Sequence, residues 1–109
     1  MSEALLEQYL VAWRALDVAA GRAAETVERV RRVATMLRGD WRDVAVLAGK
    51  SYVPLRLLHS PAITRGEWPS IGEIADVLGE WHRAYDAVVR AWAALPEDRR
   101  REVTSPGTP

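Results

Sequence analysis

The fold is decided by residues 6–37, which read LEQYLVAWRALDVAAGRAAETVERVRRVATML. Apolar side chains recur along this stretch at alternating spacings of three and four, which is typical of the heptad seam of a long helix. Arg38 and Gly39 follow, and a cation and then a glycine are common at a helix C-terminus. We therefore predict a helix from about residue 3 to residue 38. Its seam consists of Leu6, Tyr9, Trp13, Leu16, Ala20, Ala23, Val27, Val30, Ala34 and Leu37.

A second heptad occupies residues 71–95. It starts at Ser70-Ile71-Gly72-Glu73, which fits a capping box because a serine and a glutamate stand three residues apart ahead of an apolar pattern. Pro96 cannot continue a helix interior, so we expect this helix to span about residues 70–95. Its seam consists of Ile71, Ile74, Leu78, Trp81, Tyr85, Val88, Trp92 and Leu95.

Charge placement predicts how the two helices meet. Arginines dominate the C-terminal half of the first helix, and acids dominate the N-terminal half of the second. Antiparallel packing brings opposite charges side by side, which selects an orientation. We therefore expect an all-α fold, an antiparallel helical bundle built on two long heptad helices with a short-helix connector. The residues expected to set the orientation are Arg29, Arg32, Glu73 and Glu80.

The connector comprises residues 39–69 and is too long for a simple hairpin loop. Its composition allows a short helix at residues 41–48 and one or two further helical turns within residues 51–58. We expect the connector and both long helices to form a single domain, residues 1–98. Residues 99–109 are basic at first and then rich in serine, proline and glycine, so we expect a disordered tail.

Two tryptophans, Trp41 and Trp68, lie in the connector, and each follows a glycine and an acidic residue. Their indole rings can pack the connector onto the helices or stand exposed as anchors for a partner. The pattern alone leaves both interpretations open.

The composition excludes several classes of protein. The chain has 109 residues, 49% of them hydrophobic, with 15 basic and 15 acidic side chains and no cysteine. Without cysteine there is neither a disulfide framework nor a thiolate metal site. No apolar run approaches the roughly 18 residues of a membrane span, and the N-terminus lacks the features of a signal peptide. We expect a cytoplasmic protein that does not bind membranes.

Catalytic motifs are also missing from the sequence. It contains no H-E-x-x-H, no phosphate-binding glycine loop and no Glu-x-x-His repeat. His82 and Asp86 are four residues apart on one helix face, and we interpret them as a solvated surface pair. We therefore expect no enzymatic activity, no cofactor and no metal site.

Residues 43–58, DVAVLAGKSYVPLRLL, combine an apolar turn of helix, a central glycine and a serine that can cap a second helix. In this order they resemble the helix-turn-helix of lac-repressor-type and phage-repressor-type regulators. The resemblance implies that the second helix enters the major groove of DNA. The residues that would contact DNA are Tyr52, Arg56, Lys50 and Arg42.

Two functions are compatible with these patterns. The first is a non-enzymatic helical interaction or assembly module, which associates through its heptad faces with a second copy, as a dimer, or with another helical protein. The alternative is a small DNA-binding regulator in which the long helices are the dimerisation element. The first helix exceeds the second by about a dozen residues, so part of its seam needs cover from elsewhere. The interaction residues expected on the seams are Trp13, Leu16, Val27, Val30, Trp81, Tyr85, Val88 and Trp92.

Overall fold

A computed structural model describes residues 2–47, 52–64 and 66–107 of the chain. Helices α1 (Ser2–Arg38) and α2 (Ile71–Ala94) pack against each other in an antiparallel arrangement, which confirms the expected fold class. Within the described ranges no helix combines the length and the apolar character that crossing a membrane requires. The elements are α1 (Ser2–Arg38), β1 (Ala45–Leu47), β2 (Ala62–Thr64), α2 (Ile71–Ala94) and α3 (Glu97–Arg100), with 3₁₀ turns at Trp41–Asp43 and Leu55–Leu57.

The contacts divide the chain into two compact units. Unit 1 contains the residues up to Ala23 together with those from Ala75 onwards, and unit 2 contains residues 24–74. Each long helix therefore contributes one part of its length to each unit.

The core of unit 1 is formed by buried seam residues of both long helices. Tyr9 and Leu16 come from α1 and Val88 from α2, and Leu95 follows α2 directly. Tyr9 and Val88 have no exposed surface at all. All four positions belong to the predicted heptads, so local periodicity identified this core correctly.

Burial along α1 departs from the predicted seam at Thr26. This threonine is only 7% exposed, and Ala19 and Val33, seven residues to either side, are buried as well. Val27 and Leu37, which the apolar pattern placed on the seam, are exposed. The buried stripe therefore includes a polar position, and a pattern restricted to apolar residues selected the neighbouring position instead.

The connector contains a two-stranded parallel sheet. Of the short helix expected at residues 41–48, Trp41–Asp43 form a 3₁₀ turn and Ala45–Leu47 form a strand instead, while residue 48 lies outside the described residues. After the first 3₁₀ turn, β1 pairs with β2 in parallel, with Ala45 opposite Ala62 and Val46 opposite Ile63. The β-branched side chains of Val44 and Val46 favour extended backbone. The other helical turn expected in the connector does form, as the 3₁₀ turn Leu55–Leu57.

The start of α2 follows the predicted capping chemistry. The Ser70 hydroxyl accepts a hydrogen bond from the backbone N–H of Glu73 at 3.0 Å. This interaction satisfies one of the four N–H groups that have no partner within the helix. The bounds of α2, Ile71–Ala94, agree with the expected residues 70–95.

The described C-terminal residues are attached to unit 1. Helix α3 covers Glu97–Arg100, and Val103 packs against the core of unit 1. The Tyr9 hydroxyl donates a hydrogen bond to the carbonyl of Thr104. One apolar side chain and one buried hydroxyl therefore attach a segment whose composition alone predicted disorder.

Candidate interaction surfaces

The interaction residues expected in unit 1 pack mostly against one another. Leu16 and Val88 are buried, and four half-buried aromatic side chains surround the same core. Their apolar area is therefore used largely within the chain. The four aromatic residues are Trp13, Trp81, Tyr85 and Trp92.

The aromatic rings of unit 1 form two ordered groups. Tyr9 lies edge-on to Trp13 with ring centroids 6.3 Å apart and is tilted against Trp92 at 5.5 Å. Trp81 stacks on Tyr85 at 5.3 Å. Such ring pairs contribute about 0.5–1.5 kcal/mol beyond the area they bury. They fix the side-chain geometry on one side of the unit.

The two remaining interaction residues predicted on the seam, Val27 and Val30, lie in unit 2. Val27 is exposed and Val30 is half-buried. Neither belongs to the buried set of α1 that includes Thr26 and Val33. Val27 is thus the one predicted seam residue of this group whose side chain is freely accessible.

Unit 2 contains a charged cluster that joins α1 to the loop before α2. Arg29 donates to the backbone carbonyls of Gly66 and Glu67 and pairs with the carboxylate of Glu73 at 2.9 Å. Arg32 pairs with Glu67 at 2.6 Å. Arg29 therefore binds both the loop and the first turn of α2, where a carboxylate is also favoured by the helix dipole.

Glu67 is the most constrained acid of this cluster. Its Oε1 accepts hydrogen bonds from the N–H of Thr64 at 2.9 Å and from the hydroxyl of Thr64 at 2.7 Å. Its buried Oε2 has no hydrogen bond of acceptable angle but is ion-paired with Nη1 of Arg32. The two bonds from Thr64, and to a smaller extent the charge of Arg32, lower the pKa of Glu67, since each favours the ionised form.

The charge pairs predicted to orient the helices are found in part. Arg29 pairs with Glu73 as expected, whereas Glu80 pairs with Arg22 at 2.6 Å and Arg32 pairs with Glu67 in the connector. The two more exposed pairs, Arg29–Glu73 and Arg22–Glu80, contribute only about 0.2–1 kcal/mol each. They support the antiparallel orientation more than they stabilise the fold.

Several large apolar side chains of the connector are exposed. Tyr52 is 86% exposed and Leu55 is 85% exposed, while Leu57 in the same 3₁₀ turn is buried at 7%. Leu55 and Leu58 are three residues apart, which places them on the same side of a 3₁₀ turn. We call this set the connector surface. It consists of Trp41, Val46, Leu47, Tyr52, Leu55, Leu58 and Trp68.

The two arginines predicted to contact DNA each form an ion pair within the chain. Arg56 pairs with Asp43 at 3.3 Å and also donates to the carbonyl of Arg42. Arg42 pairs with Asp40 at 3.1 Å. Both arginines thus have a carboxylate partner within the chain. Tyr52 is exposed, and Lys50 lies outside the described residues.

The segment that resembles a helix-turn-helix has different secondary structure where it is described. Its first part contains β1, and its last part contains the 3₁₀ turn Leu55–Leu57. Residues 48–51, which include the turn glycine and the serine of the motif, lie outside the described residues. The described residues therefore do not contain the helix pair that the resemblance implies.

Among the described residues no group of three or more histidines, aspartates and glutamates is placed to hold a metal ion. His82 is exposed and lies edge-on to Trp81, with ring centroids 5.1 Å apart.

Sequence reasoning missed two features that the structure brings forward. Thr64 and Glu67 have the spacing of a capping box, T-x-x-E, and that spacing was a usable signal for their contact. Tyr9 occupies a core position although its hydroxyl needs a partner, and this requirement pointed to a nearby polar group. No local signal identified Thr104 as that partner, because it lies 95 residues further along the chain.

Comparison of the chain with protein-family models, with curated proteins and with solved structures found no match.

Proposed function

We propose that this protein is a non-enzymatic interaction module that associates with a second copy of itself. The observation that supports this proposal is the connector surface. Full burial of a leucine side chain contributes about 1.5–3 kcal/mol relative to leaving it exposed. Because Leu55 and Leu58 are exposed in the single chain, they lack most of this stabilisation. Exposed apolar side chains regain this contribution when a partner covers them.

A second copy is the partner that the charge distribution favours. The formal net charge of the chain is zero, so two copies do not repel each other through net charge. In the connector, Arg42 and Arg56 are already paired with Asp40 and Asp43. A two-fold contact would let the same apolar side chains cover one another, as in most homodimers.

The surface proposed here differs from the heptad faces expected from the sequence. Trp13, Leu16 and Val88 pack within unit 1, which leaves them little area to offer a partner. In contrast, Tyr52 and Leu55 are more than four-fifths exposed. Tyr52 and Leu55 are therefore more accessible to a partner than these three seam residues are.

Sedimentation velocity of the full chain tests the proposal. We expect the mean sedimentation coefficient to rise between about 1 and 100 µM, a range that corresponds to dissociation free energies of about 8 to 5.5 kcal/mol. Substitution of Tyr52→Ser together with Leu55→Ser should abolish the rise. Val11→Ser together with Val18→Ser, also at exposed apolar positions but on α1, is the matched control and should leave it unchanged. A chain that stays monomeric throughout this range contradicts self-association.

A titration with random duplex DNA at about 50 mM salt tests the alternative, a DNA-binding regulator, since even non-specific binding is strong at low salt. We expect no saturable binding. Binding that is lost on Arg42→Ala together with Arg56→Ala would favour the DNA-binding function instead.

A further inference from the structure

The C-terminal segment, residues 103–107, lies over the aromatic residues of unit 1 without forming a helix or a strand. Val103 packs against the core cluster that contains Tyr9 and Trp92. Beside it, a groove is lined by Tyr9, Leu10, Trp13 and Asp17 on α1 and by residues 102–104 on the segment. The segment therefore occupies part of an aromatic groove of unit 1, and the rest of the groove is open beside it.

Two tyrosine hydroxyls bind the backbone of this segment. Tyr9, which is completely buried, donates to the carbonyl of Thr104, and Tyr85 donates to the carbonyl of Gly107 at 2.5 Å. The two acceptors are three residues apart. A hydroxyl that donates to a backbone carbonyl binds the peptide backbone whatever its side chains are, whereas the apolar contact of Val103 depends on that side chain.

The residues just before the segment are attached separately. Arg100 donates to the carbonyls of Trp92 and Ala93 and places its guanidinium over the Trp92 ring. Arg99 pairs with Glu102 at 3.0 Å. These contacts keep α3 in place without the help of residues 103–107. Detachment of the segment would therefore break the contacts of Val103 and of the two tyrosine hydroxyls, and would leave α3 attached.

We propose that the aromatic face of unit 1 is a peptide-binding groove that recognises an irregular segment of the Val-Thr-Ser-Pro-Gly type. In this chain the groove is occupied by the chain's own residues 103–107. Because the segment is tethered, its effective concentration is in the millimolar range, and a free peptide competes with it poorly. A chain whose own segment is displaced binds the same peptide from solution. This inference is independent of the connector surface and of self-association.

The test uses full-length variants and a synthetic peptide that covers residues 102–107 with blocked ends. Val103→Asp places a charge in the apolar contact and should release the segment. Thr104→Asp adds the same charge at an exposed side chain whose carbonyl alone takes part in binding, so it is the matched control. Amide chemical shifts in NMR spectra report binding, and circular dichroism checks that both variants are folded.

The expected result is that Val103→Asp binds the peptide at least about tenfold more tightly than the wild-type chain or the control variant does, because its groove is no longer occupied. A peptide that carries Val103→Asp should not bind. Addition of Tyr9→Phe to the released variant should weaken peptide binding several-fold. Equal binding by wild type and Val103→Asp, or equal binding of the two peptides, overturns the proposal.

A second measurement decides the matter if Val103→Asp does not fold. In the wild-type chain, heteronuclear NOE values of residues 103–107 should approach those of the helices, and Tyr85→Phe should lower them for the last residues of the segment. Values as low as those of the free peptide in the wild-type chain overturn the proposal.

Discussion

Leu55 and Leu57 offer a direct way to separate the interface from the core, because one 3₁₀ turn presents both. Leu57 is 7% exposed and Leu55 is 85% exposed. Replacement of each by alanine removes the same atoms from the same turn. We expect Leu57→Ala to lower the stability of unit 2 and Leu55→Ala to weaken association without affecting the folded monomer.

The magnitudes follow from burial. Leucine-to-alanine substitutions at buried positions cost about 2–5 kcal/mol, and we expect Leu57→Ala to fall in this range. Leu55→Ala should change the stability of the monomer by less than about 0.5 kcal/mol. Burial of the three carbons lost from Leu55 is worth about 2 kcal/mol per copy. A two-fold dimer contains this contact twice, so its dissociation constant should rise by a factor on the order of 10³.

Two assays separate the effects. Urea unfolding followed by circular dichroism at low protein concentration reports the stability of the monomer, and sedimentation equilibrium reports the dissociation constant of the dimer. If Leu55→Ala destabilises the monomer as much as Leu57→Ala does, the connector surface is part of the core. If Leu55→Ala leaves the dissociation constant unchanged, Leu55 does not lie in the interface, and the reasoning from exposure is refuted.

Three further predictions concern single positions. Ser70→Ala removes the acceptor for the Glu73 N–H and should cost about 1 kcal/mol in thermal or urea unfolding, whereas Ser70→Thr should retain most of the stability. Glu67 has a lowered pKa in the folded chain, so its contribution is complete above the unfolded pKa of about 4.3 and is lost as the pH falls through the folded value. Glu67→Gln should therefore be less stable at neutral pH and should lose less stability on acidification than the wild type, and parallel pH profiles would contradict this assignment. Gly21 is exposed within α1 and a Cβ there would meet nothing within 4 Å, so Gly21→Ala should stabilise the chain by about 0.5–1 kcal/mol, and a loss of stability would show an unrecognised constraint.

Signals that act over one or two helical turns were readable from the sequence. The alternation of apolar residues identified both long helices and the core positions Tyr9, Leu16 and Val88. The capping box marked the start of α2 within one residue. Each of these features depends on side chains close together in sequence, so a linear pattern contains the necessary information.

Features that depend on distant contacts were not readable. β1 pairs with a strand that lies 17 residues further along the chain, from Ala45 to Ala62, and no periodicity within a short segment specifies such a partner. Thr26 is buried although its polarity excluded it from an apolar pattern. The segment after α3 is attached by the Tyr9 hydroxyl and by Val103, and its composition contains little trace of either contact.

Candidate surfaces were harder to predict than the fold, for a related reason. A heptad shows which side chains are apolar but not whether a helix of the same chain already covers them. Trp81 and Trp92, which were expected to contact a partner, are half-buried and pack against the core of unit 1. Tyr52 was assigned to DNA contact through the resemblance, and its exposed ring now belongs to the connector surface.

Helix α1 is continuous but belongs to two units, so its two parts are stabilised by different contacts. Up to Ala23 the helix is fixed by Tyr9 and Leu16, whereas its last 15 residues belong to unit 2. A helical segment of about that length is marginal in water without tertiary contacts. When unit 2 opens, these residues therefore lose their support and can melt back toward Gly21 while the first half remains helical. Local unfolding thus has a natural stopping point inside α1, although no loop or proline marks it.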